Sequence, residues 1–281
     1  MSDVMRFTIL GCGSSPGVPR IHGDWGQCDH NEPKNRRLRC SFLIERISDE
    51  GRTTVVVDTS PDFRQQMLNA EVKSLDSVLF THPHADHVHG IDDLRGFALA
   101  QRERITIYAD EQTQKRLDQG FGYCFKQPEG SMYPPILNAY ELEAGRPVMI
   151  TGKGGNIHAL PVLQIHGPIH SLGFRFSPDG NFDVGGLCYS PDISDVPTES
   201  AAHLKNLDCW ILDALQYKPH ISHFSVDEAL QKIAEFKPKR AVFTHMHIPL
   251  DYAQLKSQLP AHVEPGFDGM TIELEIGEQN T

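Results

Sequence analysis

The sequence predicts an α/β protein built as a four-layer αββα sandwich, with paired strands inside and helices outside. Apolar, β-branched runs alternate with helix-patterned stretches along both halves of the chain, and no linker or composition break separates the halves. The 23 glycines and 19 prolines among 281 residues supply the many turns such a fold needs. Residues 1–281 are therefore expected to form one domain.

In chain order, Met5–Leu10 reads as a strand ending in a glycine-rich turn, Gly11 to Pro19. That turn lacks the Lys-Ser/Thr of a phosphate-binding loop. A polar stretch, Arg20 to Arg39, contains the basic run Pro33-Lys34-Asn35-Arg36-Arg37-Leu38-Arg39, read either as a solvated face or as a phosphate contact. Cys40–Ile47 and Thr53–Asp58 pair as a hairpin around Asp49-Glu50-Gly51. Phe63–Leu68 is helical, Leu75–Phe80 a strand, Gly90–Leu99 a helix, Ile105–Tyr108 a strand and Thr113–Gly122 a helix. Residues 113–135 read as an elaboration near the active site or, equally, as a subunit contact, with no clear element after Phe125. Strands follow at Ile157–Gln164, Gly173–Ser177, Leu187–Ser190, Asp208–Asp213 and Arg240–Phe243. Helices fit Pro197–Leu204 and Ser225–Phe236, the latter with Ser225 as N-cap and Glu228 at the third helical position.

The chemistry concentrates in Thr81-His-Pro-His-Ala-Asp-His-Val-His-Gly90, directly after Val78-Leu79-Phe80. Imidazole nitrogens and carboxylate oxygens are ligands for Zn²⁺ and similar ions, and burying so many of them together is costly without a metal or hydrogen bonds. His82 and His84 alternate and share one side of an extended segment; Asp86 and His87 fall where a turn aims them elsewhere. One stretch can thus offer two ligands to each of two metals. Three more polar residues, His166, Asp192 and His245, follow apolar runs, where strand ends build rigid sites.

This ordered set resembles the metallo-β-lactamase superfamily, and the resemblance runs from the first strand to the last. It implies the metallo-β-lactamase-like sandwich. It also implies that His82, His84 and His166 hold one ion, that Asp86, His87 and His245 hold a second, and that Asp192 bridges them. Asp86 would serve in catalysis as well as in binding. Asp58 resembles the family's aspartate that orients the ligand loop; His89 falls outside the pattern. The segments Gly11 to Pro19, Arg36-Arg37-x-x-Cys40-Ser41 and Gly266-Phe267-Asp268-Gly269-Met270 are similar to the phosphoribosyl cyclic phosphate phosphodiesterases of the carbon–phosphorus lyase pathway. In Ser222-His223-Phe224, His223 falls where that group and the tRNA 3′-processing nucleases carry a catalytic histidine, which favours phosphodiester chemistry. The phosphodiesterases hold a further structural zinc through clustered cysteines. Here Gly26-Gln27-Cys28-Asp29-His30 offers one thiol, with His247 the nearby histidine, so no structural zinc is expected.

The expected function is therefore a metal-dependent phosphodiesterase using two divalent ions, Zn²⁺ or Mn²⁺, and a metal-bridging hydroxide. Its substrate would be a small nucleotide-like or cyclic phosphate ester. The formal net charge of −11 argues against a long nucleic-acid partner or an anionic membrane. A tRNA 3′-processing endonuclease is the alternative, and a noncatalytic metal or nucleotide sensor a third reading. Scattered cysteines, no signal-like segment and no apolar run of transmembrane length predict a cytoplasmic protein with free thiols. The resemblance implies a homodimer.

Overall fold

Val4–Gly11 (β1) pairs antiparallel with Ser41–Ser48 (β2), which pairs antiparallel with Gly51–Val57 (β3) in the computed structural model, which describes residues 3–276. Helix Phe63–Asn69 (α1) carries the chain to Ser77–Leu79 (β4), parallel to β3. The metal-ligand-rich stretch follows as the short helix Ala85–Val88 (α2), a 3₁₀ turn at Ile91–Asp93 and the helix Leu94–Gln101 (α3). Ile105–Ala109 (β5), Glu111–Phe121 (α4) and Leu137–Glu141 (β6) complete the first half.

The second half opens with an antiparallel set, Val148–Ile150 (β7), Ile157–His166 (β8) and Ile169–Ser177 (β9), leading into Leu187–Ser190 (β10). Parallel strands Cys209–Asp213 (β11), Arg240–Thr244 (β12) and Val263–Pro265 (β13) are linked by Val226–Phe236 (α5) and Tyr252–Gln258 (α6). Thr271–Glu275 (β14) returns to pair with β1. Two seven-stranded sheets result, ordered β14-β1-β2-β3-β4-β5-β6 and β13-β12-β11-β10-β9-β8-β7. The predicted αββα sandwich is the observed architecture.

Strand periodicity explains the layers. Val55 and Val57 join the core between the sheets, while Val56 between them joins the core under the outer helices; Phe42, Leu43 and Ile44 divide the same way. Between the sheets, Phe42 stacks on Tyr189 at 4.5 Å. Outside the first sheet, Phe63, Leu94 and Leu117 fix α1, α3 and α4. Outside the second, Phe236 of α5 meets Trp210 edge-on at 5.6 Å. Among the described residues no helix is long and apolar enough to cross a membrane.

Several boundaries differ from those expected. The helix expected over Gly90–Leu99 is broken into a 3₁₀ turn and α3, and Pro197–Leu204 forms a 3₁₀ helix at Thr198–Leu204. Strands β8 and β9 are longer than expected and meet in a tight hairpin at His166–Ile169. Strands β6, β7, β13 and β14 and helix α6 were not anticipated. Four of the five residues of β6 are exposed, so the edge strand leaves little apolar signal. Segment 113–135 divides: α4 packs against β5 and β6, whereas the chain beyond it reaches the 3₁₀ turn before α3, with Cys124 Sγ 3.8 Å from Asp92 Oδ1.

Candidate metal centre

The parallel strands of each sheet aim their C-terminal ends at one edge of the sandwich, where open α/β sheets place ligands. Asp58 directly follows β3 in a left-handed conformation (φ 63°), a strain that persists where surrounding bonds over-determine it. Here Thr81 N–H donates to Asp58 Oδ1 (2.8 Å), while Thr81 Oγ1 (2.8 Å) and His87 Nδ1 (2.7 Å) donate to Oδ2. With Nδ1 so engaged, His87 turns Nε2 toward the cluster. Burial pushes the Asp58 carboxyl up, and the His87 imidazole only partly offsets it.

The same logic fixes other tautomers. Thr81 Oγ1 gives its proton to Asp58, so it accepts from His82 Nδ1 (2.9 Å), leaving a lone pair on His82 Nε2. His166 Nδ1 donates to the Ser222 carbonyl (2.7 Å), leaving a lone pair on His166 Nε2. Both Nε2 atoms face His84 Nδ1, at 2.9 and 3.3 Å. Three imidazole nitrogens converge with two lone pairs assigned, a donor set suited to a cation.

Asp192, after β10, sits between this trio and a second group. Its Oδ1 lies 3.9 Å from His82 Nε2, 3.7 Å from His166 Nε2 and 3.5 Å from His245 Nε2; its Oδ2 lies 3.0 Å from His87 Nε2. Asp86 Oδ2 is 3.5 Å from His87 Nε2 and 3.9 Å from His245 Nε2. His245, after β12, is also left-handed (φ 57°). Buried His87 Nε2, Asp192 Oδ2 and both nitrogens of His245 have no hydrogen-bond partner, a condition costly enough that native structures seldom leave it uncompensated. The groups His82–His84–His166 and Asp86–His87–His245 each have the spacing to hold an ion, and His82–His87–Asp192 links them.

Burial holds the His82 and His84 imidazoles below their usual range and His166 at about 4, favouring the neutral ligand form. At His87 burial acts the same way, but Asp192, Asp86 and Asp58 outweigh it and the pKa rises. Asp192 is pushed up by burial, yet the surrounding imidazoles of His245, His87 and His82 hold it well below the carboxylate range.

His223 joins the cluster, its ring stacked on His245 at 4.5 Å and 14° and edge-on to His166 at 4.7 Å. Its Nδ1 donates to Asp213 Oδ2 (2.6 Å), at the end of β11. Asp213 went unnoticed in the sequence. It ends an apolar strand, as Asp58 directly follows one, and that was the available signal. Its backbone neighbours tie it in: Ile193 N–H donates to Oδ2 at 3.2 Å. Expected ligands His82, His84, Asp86, His87, His166, Asp192 and His245 thus meet in one place with His223. His89 stays outside, exposed, with its ring 5.8 Å from Phe121.

The basic run is not a solvated face. Arg37 is 1% exposed and donates to the Leu250 carbonyl (2.6 Å), Arg39 pairs with Asp62 (2.6 Å), and Arg36 lies over Trp25. The glycine-rich turn backs onto the site: Ser14 N–H donates to the Met246 carbonyl (3.2 Å), and a Cβ on Gly11 would overlap the Arg39 carbonyl. Cys28 Sγ lies 3.4 Å from the Ile248 and Leu250 carbonyls, and His247 contacts Ser14 Oγ (2.8 Å) and Arg20 Nη2 (2.7 Å). All six cysteines are free.

A model of the beta-lactamase superfamily domain matches residues 53–246. The chain belongs to the beta-lactamase superfamily. Within that superfamily, a crystal structure described as a new diphosphatase from the PhnP family superposes with a TM-score of 0.83 at 32% identity, covering 98% of this chain and 99% of that one, so the chain is a member of the PhnP family. Zn²⁺-bound PqqB from Methylobacterium extorquens shares the superfamily fold (TM-score 0.71, 16% identity, 96% and 100% coverage). An octanoyltransferase of Porphyromonas gingivalis is 31% identical over 95% of this chain. The chain spans about half the length of that relative, 51%.

Proposed function

We propose that the protein is a metal-dependent phosphodiesterase acting on a small nucleotide-like or cyclic phosphate ester. The observation that carries this reading is His223, tied to Asp213 and stacked on His245; its ring also has the spacing to join His166 and Asp192, or Asp213 and His245, around an ion, and this reading assigns it to the substrate because the other seven residues already supply both ligand groups. A histidine so placed is free to serve the substrate. The diphosphatase described for the PhnP-family structure supports phosphoester chemistry.

In this reading His82, His84 and His166 hold one divalent ion, Asp86, His87 and His245 the other, and Asp192 serves both. The unpartnered buried nitrogens and carboxylate oxygen are the atoms such ions would satisfy. Two bound divalent ions, Zn²⁺ or Mn²⁺, supply Lewis acidity that activates water and neutralises phosphate oxygens. The chain's own residues do the rest. Asp58 and Thr81 fix the rings of His87 and His82; the Ser222 carbonyl fixes His166. Asp213 keeps the proton of His223 on Nδ1, so Nε2 is the nitrogen that exchanges a proton with the leaving group or steadies a phosphate oxygen. Neither sheet carries a complete ligand set, which supports treating the chain as one functional domain.

A small substrate is favoured because Arg37 and Arg39 are already engaged within the protein, leaving no concentrated basic surface in that run to grip tRNA. The test is metal analysis of the purified protein with a panel of bis(p-nitrophenyl) phosphate, a cyclic ribose phosphate and a precursor tRNA. Turnover of the small esters with bound metal is expected. Cleavage of the tRNA alone would favour the endonuclease, and no turnover of any would favour a sensor.

A further inference from the structure

We propose that His220 is a substrate-binding residue that donates a hydrogen bond from Nε2 to an oxygen on the leaving-group side of the substrate. The preferred leaving group then carries a hydrogen-bond acceptor near the scissile bond, rather than being an apolar alcohol. The proposal rests on the hydrolytic reading above and adds a residue outside both ligand groups.

The turn carrying His220 is fixed to the site at several points. The Ser222 carbonyl accepts from His166 Nδ1 (2.7 Å), and His223 is tied to Asp213. Ser222 N–H donates to His220 Nδ1 (3.4 Å), with Ser222 Oγ 3.2 Å from the same nitrogen. A backbone amide can only donate, so Nδ1 holds a lone pair and the neutral ring carries its proton on Nε2. That N–H lies across the ring from the bonds to the turn, on an exposed side chain.

The ring also neighbours His223. His220 and His223 ring centroids are 5.2 Å apart, and His223 stacks on His245 at 4.5 Å. Side-chain exposure rises from 2% at His245 to 11% at His223, and His220 is open to solvent. For a substrate whose phosphorus sits at the buried end and whose leaving group extends toward solvent past His223, His220 offers a donor beside that ring. Holding that oxygen in advance lowers the entropic cost of alignment.

The test uses the full-length metal-loaded protein with ADP-ribose, whose hydrolysis releases ribose 5-phosphate, and bis(p-nitrophenyl) phosphate. His220→Ala should lower kcat/KM for ADP-ribose about 10- to 100-fold, the scale of one hydrogen bond to a charged oxygen, and lower that of the nitrophenyl ester much less. His220→Asn and His220→Asp separate donation from bracing. Both retain an acceptor for Ser222 N–H, but only Asn has an outward donor. Asn should recover most of the loss and Asp none; equal recovery by the two, or an equal loss on both substrates, overturns the proposal. If the wild-type protein hydrolyses neither substrate, the hydrolytic reading fails. Calorimetry with ribose 5-phosphate still decides His220: binding about tenfold weaker in His220→Ala and His220→Asp than in wild type supports it, and unchanged affinity refutes it.

Discussion

At the scale of single residues, the proposed reaction divides the labour between Asp192 and the His223–Asp213 pair. Asp192 lies near imidazoles of both groups, so Asp192→Ala should reduce bound metal below two ions per chain and abolish most turnover. Two retained ions with undiminished rate would mean the ligand assignment is wrong. His223→Ala should keep its metal and lose about 10²–10⁴-fold in rate, the usual contribution of a general acid or base. The loss should shrink for p-nitrophenolate, a leaving group that scarcely needs a proton. Asp213→Asn should reproduce a large part of the same defect, and the double variant should be no worse than His223→Ala alone, because the two act as a unit. Additive losses would show that Asp213 works through another group, His245 being the nearest candidate at 3.8 Å. That the seven expected ligand residues would gather in one place was legible in the sequence, because imidazole and carboxylate clustering is itself unusual. Asp213 was not, because one aspartate ending one apolar strand says nothing about which side chain will face it.

Elements position these residues, and two small devices show how. The capping box of α5 begins two residues after His223: Ser225 Oγ accepts from Glu228 N–H at 3.3 Å, and Glu228 Oε2 accepts from Ser225 N–H at 2.8 Å. Ser225→Ala should cost about 1 kcal/mol of stability in chemical denaturation. The helix start was readable because the box is a local code, as was its apolar face. Strand β6 was not, since an exposed edge has no such code. The second device is the turn before β14. Asp268 accepts from Cys12 N–H (3.0 Å) and Leu38 N–H (2.7 Å), tying the ends of three segments together. Burial pushes its carboxyl up to about 7 against those hydrogen bonds. An unfolded aspartate ionises near pH 4, roughly, so between about pH 4 and 7 the folded chain binds the extra proton and stability falls as pH rises. Unfolding free energies of wild type and Asp268→Ala should therefore differ most near pH 4.5 and converge toward pH 7.5; a constant difference would contradict the assignment.

For the whole molecule, the sandwich places half of its candidate metal centre on each sheet. His82, His84, Asp86 and His87 come from the loop and short helix α2 after β4, whereas His166 ends β8 and Asp192 and His245 follow β10 and β12. Bound metal should therefore brace the two sheets against each other. With free ion at 100 times its Kd, the loaded protein should be more stable by about 2.7 kcal/mol, visible as a raised Tm that a chelator reverses. An unmoved Tm would mean that no ion binds the folded state preferentially. The layered architecture was legible because alternating strand and helix patterns repeat in both halves, but the closure of the first sheet was not. Pairing between Val4 and Glu275 joins positions that no local pattern connects. That closure has a consequence in time. At about 5–20 residues per second, a ribosome needs some tens of seconds to travel from β1 to β14. Until β14 arrives, β1 presents one unpaired edge, the kind of surface on which other strands can pair.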